Sequence, residues 1–422
     1  MHKVFNRLGP RRTYLQQPYK CQFKSMSTHP GLAQPLLLSH EGIHLNDLRL
    51  QKKNKLVIFV HGILGNKRNW RTPMKHLSTL RPDTALMAVD LRGHGDSSVS
   101  QHGDGNGIDY DRATNTVETC AEDLRALLSN FHAEGIIQKD TSITLIAHSF
   151  GGKVALKYLE QCDRLLTVDD GGGLAPVPVD TWIVDSIPGA HLSNLTHYLG
   201  QSGADVNPST HADCARGTTN AQVEKVLKCL HKMPPIFESR DWAIDVLRSE
   251  EYSCQLPQAL ALWLGTSIMD VRLPNGQRRS RFKFRVEQLI DLYNDYCTVD
   301  MHGFLGRYGS AEGGRPNSQS AAAGGGGSIS DLINTISETG DAGRPAPLRS
   351  RVHFLRAGKN KSWDTAAPLA PGHTAASYLQ SIISDHTTSP QLLNFHVMPH
   401  VDHWVHAEDV KGFTELVHRN SL

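Results

Sequence analysis

Long hydrophobic runs are missing from this sequence of 422 residues. No uninterrupted apolar stretch approaches the roughly 20 residues that a helix needs to cross a bilayer. A strong net charge is missing too, since 44 lysines and arginines nearly balance 42 aspartates and glutamates and leave a formal charge of +2. We therefore expect no transmembrane segment, and the charge balance argues against a nucleic-acid partner.

Paired cysteine motifs are also missing. The seven cysteines are scattered, odd in number and never spaced as C-x-x-C. They are Cys21, Cys120, Cys162, Cys214, Cys229, Cys254 and Cys297. This pattern argues against a disulfide framework and against a zinc site, so we expect ordinary thiols in a reducing compartment. No metal ion and no organic cofactor is implied.

Acidic residues are absent from the first 40 positions, where six basic residues occur. The basic residues are Lys3, Arg7, Arg11, Arg12, Lys20 and Lys24. Helical spacing places three of them opposite a small apolar group, which is the pattern of an organelle transit peptide. We therefore predict that residues 1–40 direct import, with the mitochondrion as first choice and the plastid as second. The alternative is a disordered basic tail without a targeting role.

Short apolar runs bounded by turns recur along the rest of the chain. They occupy residues 56–60, 85–89, 143–147, 182–184, 352–355 and 395–398. These runs do not alternate with polar residues, which predicts strands that are buried on both faces. Residues 118–131 carry apolar side chains at helical spacing between the second and third runs. Strand, helix and strand in this order predict an α/β fold with a mostly parallel central sheet and helices on both faces.

The character of the sequence changes between residues 186 and 305, where four helical patterns occur without a clear buried strand. We interpret this segment as a helical cap inserted between two strands of the sheet. Residues 306–350 follow and are rich in Gly, Ser and Ala, which predicts a flexible surface insertion. Residues 41–185 and 351–422 are then the two parts of the core.

The most informative segment is an apolar strand that leads into Ala147-His148-Ser149-Phe150-Gly151 and then into a helical pattern. It corresponds to the nucleophile elbow G-x-S-x-G, with Ala147 in place of the first glycine. Small residues are needed there because the strand reverses sharply into the helix. Such a turn holds the serine at the carboxyl edge of the sheet, beside the positive end of the helix. Ser149 is therefore the candidate nucleophile.

Acyl transfer also needs backbone donors aimed at the developing oxyanion. We expect one donor to be the N–H of Phe150, next to the nucleophile. The second is expected to be the N–H of Ile63, in the loop after the first buried strand. His61 in the same loop is interpreted as a residue that fixes the turn, and the Gly-rich turn at residues 90–97 is interpreted as structural.

A serine needs a neighbouring base to act as a nucleophile, and the chain has 23 histidines. His403 is the candidate because it lies late in the chain, in the loop after the last predicted strand. An aromatic residue and a predicted helix follow it. His400 and His406 in the same loop are the alternatives.

Three aspartates are candidates for the acid that orients the histidine. Asp185, Asp364 and Asp169 each follow an apolar run, so each is expected near a carboxyl end of the sheet. We prefer Asp185 because its strand leads directly into the cap. Asp364 is second and Asp169 is third.

Six segments carry a family resemblance. They are VHGILGNKRNW (60–70), VDLRGHGDSS (89–98), AHSFGGKVAL (147–156), WIVDSIPG (182–189), VEKVLKCLHKMPP (223–235) and HVDHWVHAEDVKGF (400–413). Together they resemble the alpha/beta hydrolase superfamily and, within it, the group of alpha/beta hydrolase domain-containing protein eleven, in its plant and algal branch. The resemblance implies a Ser-Asp-His hydrolase acting on esters, with the cap and the acid after the sixth strand, which supports Asp185. Ala147, Asp402 and the insertions at 209–218 and 306–328 depart from the pattern of this group.

We therefore expect a serine hydrolase that cleaves carboxylic esters or thioesters of small molecules through an acyl-enzyme intermediate. A carbon–carbon bond hydrolase with the same triad is one alternative, and a slow-turnover ligand-binding protein with an intact pocket is another. Some aromatic residues are candidates for an apolar acyl pocket, although aromatics at helical spacing more often pack in a core. These residues are Trp242, Trp263, Phe304 and Trp404. The sequence indicates no particular protein partner.

Overall fold

The computed structural model describes most of the chain from residue 35 onward. The described ranges are 35–100, 115–167, 176–191, 219–309 and 350–421, together with 195 and without 253, 366, 368, 369 and 386–391. The predicted targeting segment lies outside these ranges except for residues 35–40. Most of the predicted Gly/Ser/Ala-rich insertion, residues 310–349, lies outside them as well.

A seven-stranded sheet runs through the described core, and a separate two-stranded hairpin lies in the insertion. The strands, numbered along the chain, are β1 (His40–Ile43), β2 (Lys55–Val60), β3 (Ala85–Val89), β4 (Ser142–His148), β5 (Asp180–Val184), β6 (Ile268–Arg272), β7 (Arg278–Phe282), β8 (Arg351–Ala357) and β9 (Leu393–Met398). The order in the large sheet is β1-β3-β2-β4-β5-β8-β9, and every neighbouring pair is parallel except β1 with β3. The predicted α/β fold with a mostly parallel sheet is confirmed.

Helices cover both faces of this sheet. They are α1 (Leu45–Arg49), α2 (Arg71–Leu80), α3 (Gly95–Ser100), α4 (Val117–Ala133), α5 (Phe150–Thr167), α6 (Thr219–Lys232), α7 (Arg240–Arg248), α8 (Gln258–Gly265), α9 (Val286–Thr298), α10 (His302–Gly309), α11 (Ala375–Asp385), α12 (Val405–Glu408) and α13 (Val410–Asn420). Helices α4 and α5 pack together on one face, and α2 and α13 pack together on the other. No helix in the described part of the chain is long and apolar enough to cross a membrane.

The strands are apolar on both faces because each face meets a layer of helices. In β2, Leu56, Ile58 and Val60 belong to the hydrophobic cluster that includes α4 and α5. Val57 and Phe59 alternate with them and belong to the cluster that includes α2 and α13. The unbroken apolar run in the sequence therefore fills two cores at once.

The insertion after β5 contains strands as well as helices, whereas its sequence predicted helices only. Helices α6 to α9 occupy the four predicted positions, but β6 and β7 form an antiparallel hairpin between α8 and α9. The hairpin contains no apolar run because the buried side chains of Ser280 and Phe282 alternate with arginines. Its turn includes Gly276, whose φ of 84° is a left-handed conformation that favours glycine. Along the described chain the insertion follows the fifth strand of the sheet, whereas the family resemblance implied the sixth.

Helix α10 extends past the predicted end of the cap. It runs to Gly309, so residues 306–309 are helical and do not belong to a flexible insertion. Leu305 is fully buried, and the Tyr308 hydroxyl donates to the carbonyl oxygen of Ser350 at 3.1 Å. This hydrogen bond ties the helix to the residue just before β8.

A buried lysine connects α5 of the core to the insertion. The Lys153 ammonium donates to the carbonyl oxygens of Gly189, Tyr296 and Val299 at 2.7–2.8 Å. The ammonium also lies 4.3 Å from the centre of the Tyr296 ring. Burial lowers the pKa of Lys153 to about 7. The carbonyl dipoles and the ring partly offset the loss of water around its charge.

Two further polar contacts connect the cap to the core. The Asn66 amide, just after the Ile63 loop, donates to the Ser267 hydroxyl at 3.0 Å. Lys283, just after the hairpin, pairs with Asp96 at 2.6 Å. Both contacts lie near β6 and β7, so the hairpin end of the cap is anchored to the edge of the core.

A disulfide joins Cys229 and Cys254, which corrects the expectation of ordinary thiols at these positions. Cys229 lies in α6 and Cys254 lies between α7 and α8, with Cα atoms 5.4 Å apart. The two cysteines are 25 residues apart and belong to no sequence motif. Their pairing depends on how two segments of the cap pack. Cys120, Cys162 and Cys297 are buried thiols.

Candidate active site

Ser149 stands at the turn between β4 and α5, at the carboxyl edge of the sheet. Its φ of 52° lies in the left-handed region, which is strained for a residue other than glycine. Its N–H donates to the carbonyl oxygen of Val184 in the neighbouring strand at 2.9 Å. Helix α5 begins at the next residue, so the first amide groups of the helix point toward this turn.

Close packing explains why the elbow needs small residues. A Cβ atom on Gly151 would lie 2.6 Å from the carbonyl oxygen of His61, and one on Gly152 would lie 2.5 Å from the Cβ of Ser186. Ala147 is fully buried, so its position tolerates a methyl group. The departure from glycine at this position therefore leaves the turn intact.

Asp185 and His403 form a buried hydrogen bond. The distance from Asp185 Oδ2 to His403 Nδ1 is 2.7 Å, and the aspartate side chain is fully buried. Asp185 has a φ of 47°, and its N–H donates to the carbonyl oxygen of Leu355 in β8 at 2.7 Å. The backbone thus turns the carboxylate at the end of β5 toward the loop that carries the histidine.

Three more donors surround the Asp185 carboxylate. Oδ1 accepts from the N–H of Ala357 at 2.9 Å and from the indole N–H of Trp363 at 2.7 Å. Oδ2 accepts from the side-chain amide of Asn360 at 2.6 Å. Both carboxylate oxygens are therefore held in a fixed orientation. The sequence analysis missed Asn360 and Trp363, although Trp363 directly precedes the aspartate that it ranked second.

Of the other two candidate acids, only Asp364 lies within the described residues, and it makes a different contact. Asp364 is half exposed and pairs with Arg356 at 2.7 Å. Asp169 lies outside the described residues. The apolar run before it was interpreted as a strand, but the described part of that run belongs to the end of α5, which continues to Thr167.

The alternative histidines make other contacts. His400 is exposed and pairs with Asp409 at 2.7 Å. The His406 ring is buried, with its centre 4.4 Å from that of Trp70, and burial lowers its pKa to about 3. His148 also packs against His406, and its Nε2–H donates to the carbonyl oxygen of His403 at 2.8 Å. His148 thus fixes the backbone of the candidate base. The position of His148 next to Ser149 in the sequence did not indicate this contact.

Asp402 replaces a glycine of the family pattern without displacing the histidine. Its side chain accepts from the N–H of His403 at 2.8 Å, and its own N–H donates to the Glu408 carboxylate at 2.9 Å. Both hydrogen bonds stabilise the loop between β9 and α12.

The loop after β2 forms the opposite side of the site. His61 Nε2 accepts from the N–H of Leu91 at 3.0 Å, so the proton lies on Nδ1, which donates to the carbonyl oxygen of Gly62 at 2.8 Å. Burial lowers the pKa of His61 to about 4, which keeps the ring neutral. His61 fixes the turn, as its interpretation from the sequence required, and Ile63 two residues later lines the cavity at Ser149.

The Gly-rich turn after β3 buttresses this loop. The Asp90 carboxylate accepts from the N–H of Lys67 at 2.7 Å and from the N–H of Asp96 at 2.8 Å. The Lys67 ammonium also donates to Asp90. Asp90 therefore ties the two turns together and has a structural role.

A cavity with two branches lies between these loops and the cap. Ser149, His403, Ile63 and Val223 line both branches. The first branch is mainly apolar and includes Val226, Leu260, Trp263 and Trp404. The second is more polar and includes Tyr293, Tyr296, Asn360 and Ser362. The other two aromatic candidates pack elsewhere, Trp242 against Phe237 and Phe304 against Tyr308.

Sequence comparison matches residues 57–416, most of the chain, to the Alpha/beta hydrolase family. This chain belongs to the alpha/beta hydrolase family. Among its relatives in this family is the sn-1-specific diacylglycerol lipase ABHD11 of Mus musculus. The resemblance to the alpha/beta hydrolase domain-containing protein eleven group is therefore confirmed, and membership of its plant and algal branch stays a prediction.

The similarity to individual relatives is low. The chain is 24% identical over 229 residues to the mouse lipase, covering 53% of this chain and 62% of the relative. It is 24% identical over 257 residues to a probable protein phosphatase methylesterase 1 of Caenorhabditis elegans, covering 55% of this chain and 63% of the relative. The chain thus spans less than two thirds of the length of both. A solved structure, "Marine microorganism esterase", shares 16% identity and a TM-score of 0.49, covering 91% of this chain and 98% of that one.

Proposed function

We propose that this alpha/beta hydrolase is a serine hydrolase that cleaves carboxylic esters or thioesters of small molecules through an acyl-enzyme intermediate. In this proposal Ser149 is the nucleophile, His403 the base and Asp185 the acid that orients the base. The observation that carries the proposal is the buried hydrogen bond between Asp185 and His403, beside the cavity that Ser149 also lines.

The proton transfers follow from this hydrogen bond. His403 donates its Nδ1–H to Asp185, which leaves Nε2 free to accept the proton of the Ser149 hydroxyl as Oγ attacks the carbonyl carbon. The imidazolium then returns the proton to the leaving alcohol or thiol as the bond to the acyl carbon breaks. Water attacks the acyl-enzyme in the second half of the reaction, again with His403 as base, and releases the acid and Ser149.

Negative charge develops on the carbonyl oxygen in both halves of the reaction. The N–H of Phe150, the first residue of α5, has no acceptor within its own helix and is the first proposed donor. The N–H of Ile63 is the second. Both residues line the more polar branch of the cavity together with Ser149, which supports an oxyanion site on that side.

Ser149 and His403, both within the described residues, line the same cavity without a direct hydrogen bond between them. Catalytic hydrogen bonds often tighten only when substrate binds. The proposal requires the Ser149 hydroxyl to donate to Nε2 of His403 when substrate is bound.

The names of relatives support the ester class. One relative is a probable methylesterase and another is a diacylglycerol lipase, and both names describe ester cleavage. The mainly apolar branch of the cavity suits an acyl chain, since Val226, Leu260 and Trp263 line it.

Steady-state and rapid-mixing kinetics with the purified full chain test the proposal. Chromogenic esters and acyl thioesters of increasing chain length are the substrates. We expect turnover of at least one ester series, with a burst of released alcohol equal to the enzyme concentration where deacylation is slow. Absence of turnover and of a burst with every ester and thioester would contradict the proposal and favour the ligand-binding alternative.

We also propose that residues 1–40 direct import into mitochondria. The support is the basic and acid-free composition of this segment. Amino-terminal sequencing of protein isolated from its native cells, with fractionation of a fluorescent fusion, tests this. Protein that keeps Met1 and stays in the cytosol would contradict import, whereas plastid location would favour the second choice.

A further inference from the structure

The cap hairpin has two faces of different character. Phe237 extends the hairpin by pairing with Ser280 as an isolated antiparallel bridge. Ser280, Phe282 and Phe237 are buried, and the Phe237 and Phe282 rings pack at 5.3 Å. These three residues therefore define the inner face, which packs on the cap.

Strand alternation assigns the neighbouring residues to the outer face. Met269 is paired in register with Arg281, and Val271 with Arg279, so these four side chains share that face. Ile236 precedes Phe237 and lies on the same outer face, with 43% of its surface exposed. The outer face thus combines three apolar side chains with two arginines.

Positive charge is concentrated on this part of the cap. Arg279 and Arg281 form no ion pair with any described residue, and neither do Arg272 and Arg278 beside the hairpin turn. Lys283 differs because it is held by Asp96 at 2.6 Å. The hairpin and residues 236–238 together contain two acidic residues, and of these only Glu238 is on the outer face. The other, Asp270, is exposed, but it is paired in register with Ser280 of the inner face and accepts from the Ser280 hydroxyl at 3.0 Å.

The same part of the cap forms a wall of the cavity. Helix α8 leads directly into β6, and its Leu260 and Trp263 line the apolar branch. Leu262 on this helix points away from the cavity and is 43% exposed. The exposed Leu262 and the apolar branch therefore lie on opposite sides of a single helix.

We propose that this outer face docks on an anionic phospholipid bilayer. The arginines match the negative charge of the headgroups, and the apolar side chains between them can enter the boundary between headgroups and acyl chains. A purely polyanionic partner would explain the arginines but not the exposed Ile236 or the interleaved Met269 and Val271. Docking would bring α8, which precedes the hairpin and carries Leu260 and Trp263 of the cavity wall, close to the membrane. This inference needs only the cap, so it does not depend on the proposed catalytic triad.

Flotation of the purified full chain with lipid vesicles tests the proposal. We expect binding to vesicles of phosphatidylcholine with phosphatidylglycerol, weak binding to pure phosphatidylcholine, and loss of binding at high salt. Arg279→Gln with Arg281→Gln should weaken binding about 30-fold, because each basic residue near an anionic surface contributes about fivefold. Lys75→Gln with Lys411→Gln removes the same charge from exposed positions on α2 and α13 and should leave binding nearly unchanged.

A second variant separates a membrane from another anionic partner. Ile236→Ser with Val271→Ser keeps every charge, and we expect it to weaken vesicle binding while leaving retention by immobilised polyglutamate unchanged. The thermal unfolding midpoint should be the same in all these variants, which shows that the fold is intact without relying on the proposed activity. Equal binding to neutral and anionic vesicles, no effect of the arginine variant, or tighter binding to single-stranded RNA than to vesicles would each overturn the proposal.

Discussion

The two walls of the cavity are held in different ways. On the core wall, Asp185 receives four hydrogen bonds and the candidate base is fixed through both its ring and its backbone. On the cap wall, Val223, Val226 and Leu260 contribute apolar contacts from α6 and α8, and a disulfide joins α6 to the segment before α8. The core wall has the fixed polar geometry that bond cleavage needs, whereas the cap wall has a shape that can select substrates.

This difference predicts different kinetic effects for variants of the core wall and variants of the cap. Changes on the core wall should lower kcat, because they remove groups that act in the transition state. Changes on the cap should mainly alter KM, because they affect binding in the ground state. The following predictions test this division, from the largest effect to the smallest.

Ser149→Ala should reduce kcat for ester hydrolysis by a factor on the order of 10⁶, because it removes the nucleophile. The thermal unfolding midpoint should not fall, since the change deletes one oxygen and leaves the backbone hydrogen bond to Val184 in place. Ser78→Ala in α2 is a control that removes a buried serine hydroxyl away from the cavity. A Ser149→Ala protein that still hydrolyses esters at the original rate would refute the serine mechanism.

Asp185→Asn should reduce kcat by a factor on the order of 10⁴, because the amide leaves His403 in the wrong tautomer. Asp364→Asn is the matched change in the neighbouring segment and should alter kcat by less than about twofold. It breaks only a half-exposed pair with Arg356, of a kind worth about 0–1 kcal/mol. The reverse ranking in steady-state kinetics would show that Asp364 is the orienting acid.

Trp363→Phe should reduce kcat by about 10- to 150-fold with little change in KM. It removes one donor to the Asp185 carboxylate, and a hydrogen bond to a charged group contributes about 1.5–3 kcal/mol. Trp70→Phe is a matched control, because the Trp70 indole N–H is buried and has no acceptor among the described residues. Equal losses in the two variants would indicate a packing effect and not positioning of the acid.

Acid should destabilise the core through its buried histidines. Burial lowers the pKa of His61 to about 4 and that of His94 and His406 to about 3, below the usual 6.5. Below pH 6.5 the unfolded chain therefore binds protons that the folded chain does not, so the free energy of unfolding falls as the pH falls toward 4. At pH 5 each such histidine lowers the free energy of unfolding by about 2 kcal/mol relative to pH 7.

Denaturant unfolding at pH 7 and pH 5 measures this effect. His406→Phe should reduce the loss of stability between the two pH values by about 2 kcal/mol, whereas the exposed His373→Gln should leave it unchanged. An unaltered pH dependence in His406→Phe would show that this ring is protonated in the folded protein.

Removal of the cap disulfide should have the smallest effect on catalysis. Cys229→Ser with Cys254→Ser releases α6, which carries Val223 and Val226, so KM should rise by roughly two- to fivefold with nearly constant kcat. Treatment of the unaltered protein with a dithiol reductant should reproduce this change. A fall in kcat at constant KM would contradict the division between the two walls.

The residues that local sequence could identify are those whose position depends on one strand and the turn after it. Ser149 follows β4 and His403 follows β9, and both line the cavity as expected. The choice between Asp185 and Asp364 depends on the pairing of β5 with β8, which no local pattern encodes.

Other features could not be predicted from the sequence because they depend on packing between distant segments. The disulfide joins two cap segments without a motif, and the hairpin has buried positions that alternate with arginines instead of forming an apolar run. No local pattern distinguishes Asn360 and Trp363 from other polar and aromatic residues. Only the fold places them beside the Asp185 carboxylate. A period-two search around the Pro274-Asn275-Gly276 turn is the one signal that could have revealed the hairpin.

The central claim is that the core wall activates Ser149. Reaction of the folded full chain with a fluorophosphonate, followed by mass spectrometry of proteolytic peptides, tests it most directly, because the phosphonyl group bonds to an activated serine oxygen as fluoride leaves. We expect one adduct, on the peptide that contains Ser149, with none in Ser149→Ala and much slower labelling in Asp185→Asn. An unlabelled Ser149 in the folded protein, or an adduct that persists in Ser149→Ala, would contradict the account.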